Sequence, residues 1–159
     1  MIQRIQSVYL LLVALLFGLM LWLPLSVHRY KTGNIEVIML NKLTAQADAG
    51  LTVDSRILYT EMALVLITLV LASFTIFQFR NRNRQLLLCK AILLSISATI
   101  GFLFIVVDFQ LKKGVAGPDL QSTFLPAAYG PLFSLFLVYL AIRGIRKDDE
   151  LVRSADRLR

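Results

Sequence analysis

Four long apolar runs dominate the chain: Ile5 to Leu25, Ile57 to Phe79, Leu86 to Val107 and Phe124 to Ile142. Each holds about 19–23 residues and at most one charged side chain. A hydrocarbon layer roughly 30 Å thick is crossed by ~20 helical residues at ~1.5 Å each. Inside lipid each backbone N–H and C=O must find its partner within the protein, so a lone apolar run of this length forms a helix. The pattern predicts four transmembrane helices. The first run resembles a secretory signal in having Arg4 ahead of an apolar stretch, but it is longer than a signal core. No small-x-small cleavage site follows Trp22, so it is expected to stay as a helix.

The polar intervals predict the connections. Arg80 to Gln85 reads as a tight turn, which makes the second and third helices an antiparallel hairpin. The interval 26–56 is long enough for structure of its own. Arg29 to Thr32 and Ile35 to Leu40 flank Gly33-Asn34, the signature of a short β-hairpin lying over the helix ends. The interval 108–123 carries Gly114, Gly117 and Pro118, strong turn punctuation. In the fourth run Pro126 suits a first helical turn, while Pro131 removes a helix hydrogen bond about one turn later.

Residues 143–159 read as a helical continuation of the fourth span. Asp149/Arg153 and Arg146/Glu150 are i,i+4 charge pairs. Leu151, Ala155 and Leu158 recur at helical spacing with Val152 beside them, a narrow apolar stripe on a charged helix. Its possible seats are the membrane surface, the turn at 80–85, or a partner protein.

Composition agrees: 57% of the residues are hydrophobic, 17% are charged, and mean hydropathy is +0.71. A soluble globule carries nearer ~25% charge. The charge distribution sets the expected orientation. Eleven of 17 basic residues fall in the N-terminus, the turn at 80–85 with neighbouring Lys90, and the tail; that side has net charge +7 and the other side zero. The positive-inside tendency places both termini in the cytoplasm. This basicity suits anionic headgroups on the cytoplasmic face. No groove-reading motif accompanies it, so nucleic acid is not an expected partner.

Two carboxylates in or beside the spans are the candidates for chemistry, because intramembrane ionisable groups are functional hypotheses by default. Glu61 shares a helix face with Thr68, Ala72 and Thr75, and Asp108 shares one with Phe104, Gly101, Ser97 and Lys90. Small and hydroxyl side chains let helices approach and bond across. The two stripes are therefore expected to face each other, with Asp108 ~6 Å further out than Glu61. Such a pair could share a proton or hold a cation. The plainer alternative pairs Asp108 with Lys112 and Glu61 with Arg56 or the headgroup zone. Lys90 is expected to snorkel to the interface.

Catalysis finds no constellation. There is one histidine, His28, and one cysteine, Cys89, the latter read as a buried thiol. Neither a Ser/His/Asp set, a zinc motif nor a phosphate loop occurs, so no cofactor and no metal are expected. The opening MIQRIQSVYLLL (Met1–Leu12) and the closing RKDDELVRSADRLR (Arg146–Arg159) resemble a Bacteroidota family of four-helix membrane proteins defined as a domain of unknown function. The resemblance covers the full chain. It implies the inner membrane of a Gram-negative cell and carries over no activity or site residue.

The expectation is an all-α membrane protein, one domain over 1–159. It is a four-helix bundle with a small periplasmic hairpin-like loop and a cytoplasmic helical tail. The leading function is a non-enzymatic scaffold or accessory subunit. It would dock a membrane-protein partner, or a second copy of itself, through Arg146, Leu151, Val152, Ala155 and Leu158 of the tail and Arg80, Arg82 and Arg84 of the inner turn. The alternative is a small transporter or proton- or ion-coupled protein using Glu61 and Asp108. A membrane-embedded enzyme ranks third.

Overall fold

The computed structural model describes residues 3–29, 35–38, 40, 55–78, 81–107 and 121–157. Four helices long and apolar enough to cross a membrane account for most of them, the architecture of a multi-pass membrane protein. Helix α1 spans Gln3–Trp22, α2 Ser55–Phe77, α3 Arg82–Gly101 and α4 Gly130–Arg157. Each packs on two neighbours: α1 on α2 and α4, and α3 on the same two. This closes an up-and-down ring with α1 diagonal to α3.

The bundle is apolar inside and out. Leu10, Val13, Phe17 and Met20 of α1 are buried with Val65 and Ala72 of α2, Ile92 and Ile96 of α3, and Val138 and Ala141 of α4. Yet only 28% of each of the first three spans is buried, and the outer surface carries Leu15, Leu19, Val70, Phe74, Leu94 and Phe133. A helix apolar all round is at home only where its surroundings are apolar as well. Lipid is as apolar as leucine, so association rests on close packing and a few polar bonds.

Helix ends follow local chemistry. Pro24 stops α1 three residues short of the predicted end at Leu25; after Leu23 the chain turns extended. The third helix starts at Arg82, four residues before its apolar run, and takes in part of the predicted turn. Beyond Gly101 it widens into a π-helical segment, Phe102–Val107. The Phe102 N–H is shared there between the Ala98 and Thr99 carbonyls. The fourth helix is preceded by a 3-10 turn, Pro126–Tyr129. Pro131 cannot donate to the Ala127 carbonyl, and the Gly130 N–H does so instead in the tighter geometry.

Opposite the α2–α3 turn lies a sheet. Strand β1 (Ser26–Arg29) is central, pairing antiparallel with β2 (Ile35–Ile38) and with β3 (Gln121–Phe124). The predicted hairpin is present, but β1 begins three residues earlier than the sequence suggested. The register Arg29↔Ile35 leaves five residues between the strands, and Gly33-Asn34 lies outside the described residues. The third strand takes up 121–124, where a loop and the first turn of the fourth helix were expected. A Leu125 N–H to Leu25 carbonyl bond of 2.9 Å extends that pairing. Leu25 and Leu40 are buried in the same cluster as the helix cores. Phe104 of the π segment lies 4.8 Å from the Phe124 ring and 6.1 Å from that of Tyr129, centroid to centroid.

Candidate functional site

The α2 stripe is buried throughout: Glu61, Thr68, Ala72 and Thr75 are all 0% exposed. The α3 stripe expected to meet it does not. Ser97 and Lys90 are exposed, and Ser97 donates to its own Leu93 carbonyl. The buried face of α3 is instead Gln85, Cys89, Ile92, Ile96 and Thr99, continued by Leu103 of the π segment. The reason is Lys90. It lies seven residues from Ser97, in the same helical phase, and a lysine cannot enter the bundle interior unpaired. Its need for the exterior rotates the whole stripe outward. The hydroxyl contact between α2 and α3 is made two residues before Ser97, where the Thr68 and Ser95 hydroxyls lie 2.6 Å apart.

That hydroxyl pair fixes the level of Glu61. Seven residues further toward the sheet on the two helices stand Glu61 and Phe102, the first residue of the π segment, ~10 Å along at helical rise. Helix α2 packs against that segment. The buried hydroxyls Thr75, Thr99 and Ser134 each donate to a carbonyl one turn back in their own helix. Glu61 has no such outlet. Neither carboxyl oxygen has a hydrogen-bond partner among the described residues. Asp108, its expected companion, lies outside them.

A second polar cluster closes the opposite end of the bundle. The Gln6 amide of α1 donates to the Asp148 carboxylate of α4 at 2.6 Å, and both side chains are buried. Arg82, first residue of α3, donates to the Asp148 backbone carbonyl at 3.2 Å and lies 3.9 Å from the Asp149 carboxylate. Three helices are thus tied at one point. Gly144, one turn before Asp148, makes room for the tie: a Cβ there would sit 3.0 Å from the Gln6 Cγ. The sequence held one trace of this, a glycine and an acid at i,i+4 on α4, but nothing marked Gln6 as their partner across the bundle.

The proposed docking residues are placed as follows. Arg82 is turned onto α4, Arg84 and Arg146 are exposed, and Leu151 is 51% exposed. The side chains of Val152 and Ala155, together with Arg80 and Leu158, lie outside the description. Cys89 is buried, as expected of it. Among the described residues no group of three metal-ligating side chains comes together.

A family model described as Domain of unknown function (DUF4293) matches residues 2–158. The chain belongs to this family. No curated protein and no solved structure matches it. Membership in DUF4293 agrees with the resemblance read from the two ends of the chain, and the four spans described here give it a membrane architecture.

Proposed function

We propose that this DUF4293 protein is a non-enzymatic scaffold or accessory subunit of the inner membrane, with both termini in the cytoplasm and the small sheet in the periplasm. The charge asymmetry supports the orientation. The observation that carries the scaffold role is the unbroken run of α4 from Gly130 to Arg157. Its 28 residues span ~42 Å, more than the ~30 Å of the hydrocarbon layer. The excess projects beyond the bundle, and the Gln6–Asp148–Arg82 tie at its base fixes its direction. Leu151 is bare on that projection. A rigid helix that bears an exposed leucine at the head of a sequence stripe of apolar positions is suited to helix-in-groove recognition.

Affinity purification from native membranes tests this by comparing the wild type with Leu151→Asp/Leu158→Asp. The variant should lose a co-eluting protein that the wild type retains at stoichiometric yield. An unchanged set of co-eluting proteins would contradict the docking role.

A second reading, a proton- or ion-coupled transporter, is favoured by the buried Glu61 carboxyl, which has no hydrogen-bond partner among the described residues. It requires flux in proteoliposomes that falls in Glu61→Gln, and absence of flux under ion and proton gradients removes it.

A further inference from the structure

Beside the tie, on the outward side of α4, lies an open groove of about 520 Å³. Among the described residues it is lined by Tyr139, Ile142, Arg143, Arg146, Lys147 and Glu150. The formal charge of this lining is +2. Arg143, Arg146 and Lys147 are all exposed, whereas Arg82 nearby is turned onto α4.

The groove continues an apolar stripe. Leu132, Phe136, Tyr139, Arg143 and Arg146 recur at steps of four, three, four and three, so they form one line along α4. Leu132, Phe136 and Tyr139 are exposed large side chains on this line. Along the same line, therefore, the surface passes from bare hydrocarbon through a tyrosine to paired arginines. Tyrosine favours the headgroup level, where its ring meets hydrocarbon and its hydroxyl meets water. Guanidinium groups bind phosphate oxygens in a planar fork. An acidic peptide would satisfy the cations but has nothing to lay along Leu132 and Phe136.

We propose that this groove seats the headgroup phosphate of an anionic phospholipid, with an acyl chain lying along Phe136 and Leu132. Arg143 and Arg146 hold the phosphate oxygens, Lys147 adds charge, and Tyr139 marks the headgroup boundary. Glu150 completes the lining and offsets one of its three positive charges. The site requires α4 to lie in a bilayer; it shares Arg146 with the proposed docking face but does not need a protein partner.

The test uses a tryptophan reporter on the stripe, Phe136→Trp, in a chain whose only native tryptophan is removed by Trp22→Phe. The protein is reconstituted in phosphatidylcholine vesicles containing acyl-brominated phosphatidylglycerol or acyl-brominated phosphatidylcholine. Quenching by the anionic lipid should exceed that by the zwitterionic lipid, with roughly fivefold tighter association. Arg143→Gln/Arg146→Gln/Lys147→Gln should abolish the preference, and Arg143→Lys/Arg146→Lys, which keeps the charge but loses the fork, should weaken it without abolishing it. Added inorganic phosphate should leave it in place. Equal quenching by the two lipids, or a preference that survives the triple glutamine variant, would overturn the site. Displacement by inorganic phosphate would overturn the assignment to lipid.

Discussion

Glu61→Leu is expected to make the bundle more stable, by about 1–3 kcal/mol, the usual penalty for a buried polar group left unpaired. The substitution adds roughly a methylene of volume, which costs part of the gain in a packed interior, and removes two oxygens that have no partner among the described residues. Glu61→Gln should gain little, since an amide at the same place is equally orphaned. Reversible unfolding in a single detergent, followed by circular dichroism, measures the difference. A measured gain would mean that Glu61 is kept at a cost in stability, which is what the proposed proton- or ion-coupled reading requires. Gain of stability together with loss of flux would assign that role. Loss of stability in Glu61→Leu would show instead that the carboxyl is partnered in the folded protein and serves structure.

The opposite sign is expected at the other end. Asp148→Ala should cost about 2–3 kcal/mol, because it removes a short charge-assisted bond and strands the buried Gln6 amide. Gln6→Leu should be similarly costly, since it leaves a buried carboxylate without its donor. Gln6→Leu/Asp148→Leu should recover much of the loss, giving a coupling energy of about 1–2 kcal/mol in a double-mutant cycle. Gly144→Val should mimic the single variants without touching either partner, by pushing Gln6 off its place. Limited proteolysis offers a second readout: the α4 projection should be cleaved faster in Asp148→Ala than in the wild type. Additive single variants would mean that the tie contributes nothing as a unit.

The four helices were legible because one physical constraint, the thickness of a hydrocarbon layer, writes itself into the length of an apolar run. The continuation of α4 past Ile142 was legible from i,i+4 charges, which need no knowledge of the fold. What escaped was set by distant partners. Gln6 and Asp148 are 142 positions apart. Strand β3 is four residues, Gln-Ser-Thr-Phe, whose pairing partner β1 lies 95 residues earlier and which is too short and too polar to show a strand pattern of its own. The rotation of α3 turned on whether the hydroxyls or Lys90 would set its phase. In lipid, Ile92 and Ile96 are as acceptable inside as outside, so the apolar positions cast no vote and the single lysine decided. The π segment left no mark in the sequence beyond its run of β-branched residues at Ile105, Val106 and Val107. Of the candidate pair of carboxylates, Glu61 was found by its chemistry and proved fully buried.

Everything rests on four crossings of a bilayer, and cysteine labelling tests that most directly. In a Cys89→Ala chain, single cysteines at the exposed positions Asn81, Thr123 and Ser154 mark the α2–α3 turn, the sheet and the α4 projection. An impermeant maleimide applied to cells with a permeable outer envelope and an intact inner membrane should label Thr123→Cys alone, with Asn81→Cys and Ser154→Cys reacting only after lysis. Equal labelling of Thr123→Cys and Asn81→Cys in intact cells would contradict the four-span topology.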